Sequence, residues 1–198
     1  MFISIFNKIV NSVQKTSFIK KFFMKARTIR AIESSRTVEY AWVLSHLKDY
    51  RNKKILDVGS TGSIFPIQLA NINCEIFSVD VRNYLEWNGV IHPNMTFVKG
   101  DITQAPFSSE IFDIIIAIST IEHIATQDYL KIPINKTKEL KAIQEISRLL
   151  KRNGKFIFTL PYKKGAYDKI MIKEKLLNKM FDIELEEYFC FAKGFWNR

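Results

Sequence analysis

Hydrophobic and polar positions along the chain alternate between a helical period and short apolar runs. Tyr40, Val43, Leu44 and Leu47 recur at helical spacing and predict a helix from about Ser35 to Tyr50, which Ser34 or Ser35 can cap. Lys54–Val58 predicts a first strand; a turn of small residues follows, and Ile64–Asn71 reads as a helix. Glu75–Val79 predicts a second strand ending at Asp80, and Met95–Lys99 a third, followed by Gly100-Asp101. Phe112–Ile118 is almost wholly apolar, as a strand is when helices cover both faces of a parallel sheet. Leu140, Ile143, Ile146, Leu149 and Leu150 predict a helix over Lys138–Lys151, with Asn153-Gly154 as its stop. Lys155–Leu160 predicts a fifth strand ended by Pro161. Lys173–Lys179 reads as helical and Phe181–Phe191 as a sixth strand of mixed character.

Strands alternating with helices define an α/β class: a doubly wound, mostly parallel sheet flanked by helices. Ligands of such sheets bind beyond the carboxyl ends of the strands, near the switch in strand order. Asp57 to Ser63, Asp80, Asp101 and Ser119 to His123 all fall at such ends.

Composition narrows this picture. A chain of 198 residues with 47% hydrophobic content holds one globular domain, expected over residues 34–198. The net charge of +10 admits an anionic partner such as nucleic acid or a phospholipid surface. Part of that excess is local: Lys8, Lys15, Lys20, Lys21, Lys25, Arg27 and Arg30 all precede the first acid, Glu33. The same segment, residues 1–33, places Phe2, Ile5, Phe6, Ile9, Val10 and Val13 at helical spacing. It lacks the apolar block and small-residue cleavage site of a signal peptide. Two readings stand side by side. One is a basic amphipathic helix resting on a membrane or partner through residues 1–30; the other is a leading helix that packs on its own domain. No run is long and apolar enough to cross a membrane. Cys74 and Cys190 lie far apart without metal-ligand spacing and read as reduced thiols of a cytoplasmic protein. Glu122 and His123 are adjacent, which does not put both on one metal, so no metal is expected.

The chemistry concentrates in Lys54-Ile55-Leu56-Asp57-Val58-Gly59-Ser60-Thr61-Gly62-Ser63. Its glycines permit positive φ and close backbone approach, and the helix after it offers N–H groups to a polar ligand. With Asp80, with Gly100-Asp101, and with Ile121-Glu122-His123-Ile124 after the fourth strand, residues 54–162 resemble the Rossmann-like class of S-adenosylmethionine-dependent methyltransferases. The likeness is to the small-molecule type with an Ile-Leu-Asp-Val-Gly opening and a Glu-His-Ile segment.

The resemblance implies S-adenosylmethionine as cofactor and assigns its contacts. Asp57, Gly59, Ser60, Thr61 and Gly62 would face the methionine end, and Asp80 would accept the ribose hydroxyls. Val81 and Arg82 would border the adenine, Asp101 would accept its amino group, and Ile102 would supply a backbone N–H and an apolar wall. Ser119 and Thr120 would lie near the sulfonium. His123 reads either as a general base on an acceptor hydroxyl or as pocket wall, with Glu122 as a second candidate. Tyr162 reads as an acceptor contact or as surface packing, and Asp113 as structural. The usual Asp/Glu-x-Gly-x-Gly-x-Gly motif is altered here: its positions are Asp57, Gly59, Thr61 and Ser63, with Gly62 between. The fold usually ends in an antiparallel pair of strands, and only Ala192–Arg198 follow the sixth strand, so two readings stand: the last strand is missing, or the chain is a shortened piece.

The implied reaction is methyl transfer to an O or N atom of a small molecule, sugar or lipid-linked glycan. Enzymes that methylate nucleobase amino groups carry Asn/Asp-Pro-Pro-aromatic after the fourth strand, where this chain has Ser119-Thr120-Ile121-Glu122. A cytosine C5 enzyme needs a cysteine there. The charge keeps RNA as a second acceptor. Two other classes share the turn. A NAD-dependent oxidoreductase needs Gly-x-Gly-x-x-Gly, whereas positions 59, 61 and 64 read Gly, Thr and Ile. A binding module would keep the fold without catalysis.

Overall fold

A computed structural model describes residues 34–48, 50–72, 74–83, 92–124, 137–161, 180–192 and 195–197. The predicted helices at the amino terminus and at Lys173–Lys179, and Tyr162, lie outside the described residues. The chain divides into two compact units, Met1–Ala41 with Glu187–Arg198, and Trp42–Glu186.

The larger unit contains a five-stranded, all-parallel sheet. Its strands are β1 (Lys54–Val58), β2 (Glu75–Asp80), β3 (Met95–Lys99), β4 (Phe112–Ile118) and β5 (Leu150–Thr159), in the spatial order β3-β2-β1-β4-β5. That order places the switch point between β1 and β4. Helix α1 (Ser35–His46) precedes the sheet, and α2 (Phe65–Asn71) connects β1 to β2. A short α3 (Ile121–Ile124) follows β4, and α4 (Lys138–Leu149) leads into β5.

The apolar strands are buried for the reason their sequence suggests. Leu56, Val58, Ile115 and Ala117 share a core with Ala142, Ile143, Ile146 and Leu149 of α4. By strand alternation the other side of the sheet carries Ile55, Ile76, Ile114 and Ile116, all buried. Phe77, Phe107 and Phe112 close one end of the core with edge-to-face contacts at centroid separations of 5.2–6.1 Å.

Four expectations are corrected. Helix α1 stops at His46, whose Nδ1 lies 2.8 Å from the Trp42 carbonyl, rather than running to Tyr50. Asn153-Gly154 does not stop a helix. The stop is Leu150, whose N–H bonds the Ile146 carbonyl as the chain turns extended. Leu150 already pairs with Phe112, the next regular pair is Ile114 with Lys155, and Asn153 takes φ 65° in the irregularity between. A bulge and a helix stop make the same local demand, so the same residues suit both. Finally, Phe181–Phe191 is not one strand. Residues 181–189 have no regular structure, and Asp182 through Glu186 are exposed, so neither face of that alternation is covered. Strand β6 (Cys190–Ala192) instead pairs antiparallel with β7 (Phe195–Asn197) in the smaller unit, so the last strand, missing on one of the two readings, is present as a short one. Cys190 is exposed and free, and Cys74 is free and buried, which pushes its thiol pKa up.

Candidate cofactor site

Three adjacent parallel strands bring the predicted acids to one edge. Asp57 pairs in register with Ser78, so Asp57, Ser78 and Asp80 point to the same face of the sheet. All three are buried, Asp57 to 3% exposure.

Two glycines shape the turn after β1. Gly59 has φ 78°, and its N–H donates to the Val79 carbonyl at 2.8 Å, stitching the turn to β2. A Cβ on Gly59 would lie 2.5 Å from Thr120 Oγ1 and against its Cγ2, so the turn passes directly beneath that side chain. Thr120 is itself fixed, because its hydroxyl reaches the carbonyls of Val58 and Ile118 at 3.1 and 3.0 Å. Gly62 has φ 87° but open space where its Cβ would be.

The N–H groups expected to serve a ligand are largely used within the protein. Thr61 N–H donates to Asp80 Oδ2, Ser63 N–H to the Ser60 carbonyl, and Phe65 N–H to Ser63 Oγ. Pro66 opens α2 and has no N–H. What the turn retains is hydroxyl chemistry. Ser60 Oγ, Thr61 Oγ1 and the neighbouring Ser78 Oγ are buried without a hydrogen-bond partner among the described residues. A buried hydroxyl without a partner costs about 1–3 kcal/mol, so each is suited to a polar ligand atom. Ser78 was not among the sequence candidates; the single polar position inside an apolar strand was its signal.

Asp80 is the most heavily bonded of the acids. Besides Thr61 N–H it accepts from the N–H, Nε and Nη2 of Arg82, and Nη2 also donates to the Thr61 carbonyl at 2.8 Å. Arg82 therefore turns back over its own strand end. Val81 beside it is half-buried.

Asp101 caps the 3-10 turn Ile102–Gln104, accepting from the Thr103 N–H and hydroxyl, both at 2.9 Å. Lys138, at the start of α4, reaches its other oxygen at 3.2 Å. Burial opposes ionisation of Asp101, but the Thr103 donors and the Lys138 ammonium outweigh it and hold the carboxyl below its ordinary range. Lys138 is a second residue that sequence reasoning passed over, since it lies 37 positions away. Ile102 belongs to the hydrophobic core.

Beyond β4 the chain turns through Ser119, at φ 43°, whose N–H reaches the carbonyl and hydroxyl of Thr159. Helix α3 then presents Glu122 and His123, with His123 Nε2 3.9 Å from Glu122 Oε1. The His123 side chain is 41% exposed and that of Glu122 15%. Among the described residues no His, Cys, Asp and Glu cluster is arranged to hold a metal.

The sheet order, with a glycine turn after β1 and acids at the strand ends, is that of a Rossmann-like fold. Residues 56–158 match the family described as the methyltransferase domain, and the chain belongs to that family. It is similar to the biotin biosynthesis bifunctional protein BioHC of Cellvibrio japonicus, 25% identical over 159 residues covering 78% of this chain and 29% of that protein. It is also similar to the mouse eEF1A lysine and N-terminal methyltransferase, 26% identical over 111 residues covering 53% of this chain and 16% of that one. The chain thus spans less than a third of the length of either relative. A solved TehB-like SAM-dependent methyltransferase from Corynebacterium glutamicum shares the fold. Its TM-score is 0.54 at 17% identity, over 79% of this chain and 81% of that one.

The residues present fit the family's cofactor, S-adenosylmethionine. Buried hydroxyls without partners and a carboxylate stand in the turn and strand ends that would take its methionine and ribose.

Proposed function

We propose that the protein transfers a methyl group from S-adenosylmethionine to an oxygen or nitrogen of a small molecule, sugar or lipid-linked glycan. What supports this reading above all is the meeting of Asp57, Asp80 and Asp101 at the carboxyl ends of three adjacent parallel strands. The cofactor, when bound, supplies an activated methyl on a sulfonium. The chain's own work is then to hold, orient and deprotonate.

Ser60, Thr61 and Asp57 would fix the methionine end, Asp80 the ribose, and Asp101 the adenine amino group. His123, on the first turn after β4, would take the proton from an acceptor hydroxyl, with Glu122 as the second candidate for that role. Lys138 reaches Asp101 Oδ2 at 3.2 Å and, with the Thr103 donors, holds its carboxyl below the ordinary range.

Calorimetric titration with S-adenosylmethionine and with NAD separates the classes. Saturable binding of the first and none of the second is expected. Binding of the dinucleotide alone would assign an oxidoreductase, and binding of neither a partner-binding module. Turnover then needs the acceptor, which a screen reading S-adenosylhomocysteine release would find.

The cluster of basic residues before Glu33 favours an acceptor held at an anionic lipid surface. Co-sedimentation of the full chain with anionic vesicles, strong at low salt and weakened at high salt, is expected. Equal, negligible binding at both salts would remove the membrane from the proposal and leave RNA, tested by the same release assay, as the anionic acceptor.

A further inference from the structure

Asp80 has no acceptor capacity to spare. A carboxylate offers about four lone-pair positions over its two oxygens. On Oδ2 they are taken by Thr61 N–H at 2.9 Å and Arg82 Nη2 at 3.3 Å, and on Oδ1 by Arg82 N–H at 2.9 Å and Arg82 Nε at 3.3 Å. A ribose brings two hydroxyls and needs two of those positions. The two backbone donors are fixed by the path of the chain. The two guanidinium contacts are the longer ones and hang on rotatable side-chain bonds. They also keep the carboxylate covered, since the Asp80 side chain is 4% exposed and that of Arg82 18%.

We propose that Arg82 is a displaceable cover on the ribose site. Its guanidinium satisfies Asp80 in the free protein and must swing away before Asp80 can accept two sugar hydroxyls. Cofactor affinity is then set by a competition between one guanidinium and one sugar edge. The inference rests on the cofactor reading given above. A second observation agrees with it. Nη2 of Arg82 also holds the carbonyl of Thr61, the residue whose buried Oγ1 has no partner among the described residues. Rotation of one side chain therefore unlocks both the strand end and the turn.

The competition has an unusual signature. A residue that merely braces the turn lowers both stability and affinity when removed. A cover stabilises only the free protein, so its removal lowers stability and raises affinity. Arg82→Met keeps the aliphatic length and deletes the guanidinium. In the full chain it should lower the melting temperature and tighten S-adenosylhomocysteine binding about tenfold, the scale of one charge-assisted contact. Arg82→Lys, a point charge without the planar fork, should fall between the two. It serves as the test if Arg82→Met does not fold. Wild-type binding with equal or weaker binding by the folded variants would overturn the cover while leaving the cofactor assignment intact. Absence of binding by wild type and variants alike would overturn both. Binding by Arg82→Met alone would be the strongest support.

Discussion

The two edges of the sheet hold carboxylates in opposite ways. At the amino edge Asp113, the second residue of β4, draws its neighbours together. Lys54 N–H reaches it at 3.0 Å, Lys151 Nζ reaches both of its oxygens at 3.0 Å, and Lys53 stands at 3.8 Å. The donors come from β1, β5 and the approach to β1, so Asp113 ties three chain segments at a partly exposed margin. At the carboxyl edge Asp80 is buried, and its side-chain partner comes from two residues along its own strand end. Both carboxylates take a backbone donor from another segment, Lys54 N–H on Asp113 and Thr61 N–H on Asp80. They differ in their side-chain partners, which come from other segments at Asp113 and from its own strand end at Asp80. If Arg82 is the cover proposed above, the first edge serves as scaffold and the second as site.

The sharpest way to break this contrast uses the histidines. His92 sits at the amino edge, where its carbonyl accepts the Met95 N–H and its Nδ1 accepts the Asn94 N–H. His123 sits beyond the carboxyl end of β4. Once an acceptor is known, His123→Ala should lower turnover by about 10²–10⁴-fold at unchanged cofactor affinity, the range for losing a general base. His92→Ala should leave turnover near wild type. Near-normal turnover in His123→Ala would return that residue to the pocket wall.

Two glycines test the edges next. A Cβ on Gly59 meets Thr120 in a positive-φ backbone, and one on Gly154 meets Leu150 Cγ at 2.8 Å and the Asp113 carbonyl at 3.0 Å. Both alanine variants should lose stability on denaturant titration, roughly 2–4 kcal/mol at Gly59 and 1–3 kcal/mol at Gly154. Only Gly59→Ala should also weaken cofactor binding in the fraction that stays folded. Equal effects on binding would show that the two edges are mechanically coupled.

The acids give a smaller effect. Asp80→Ala should weaken S-adenosylmethionine binding by about 1–3 kcal/mol, read by calorimetry. Asp113→Asn should leave binding unchanged. Because Lys53 and Lys151 are more than 40% exposed, its stability loss should stay near 1 kcal/mol.

The smallest effect is in pH. Burial opposes ionisation of Asp113, yet Lys54 N–H, Lys151 and Lys53 outweigh it and lower its pKa. The unfolded chain therefore binds the proton more readily than the folded one. The contribution of Asp113 is complete above the ordinary carboxylate pKa of about 3.9 and is lost as pH falls through the lower folded value. Melting temperature followed down from neutral pH should drop less steeply in Asp113→Asn than in wild type. Asp101 is shifted in the same direction, so Asp101→Asn should flatten the same window. An unchanged slope in both variants would separate acid sensitivity from either edge.

Much of this was legible in the sequence because it depends on local pattern. Strands β1, β3 and β4 match their predicted spans, since an unbroken apolar run bounded by turn residues leaves a parallel strand little freedom. The strand-end acids were legible for the same reason. What was not legible depends on partners chosen in three dimensions. Nothing in Val81-Arg82 says that the guanidinium folds back onto Asp80, and nothing in Lys138 says that it meets Asp101. Asn153-Gly154 met the needs of a bulge and of a helix stop equally. Phe181–Phe191 alternates as a strand does, but alternation supplies no neighbouring edge to pair with.

The Thr120 hydroxyl bonds the Val58 carbonyl across 62 residues of chain. That separation places the glycine turn late in folding. Loop-closure entropy must be met before so distant a contact forms, and parallel strands pair slowly for the same reason. A nascent chain that has made only β1 and α2 carries the turn's sequence without the side chain that sits over Gly59. The closed form of the turn therefore arrives with β4 and not with the motif itself.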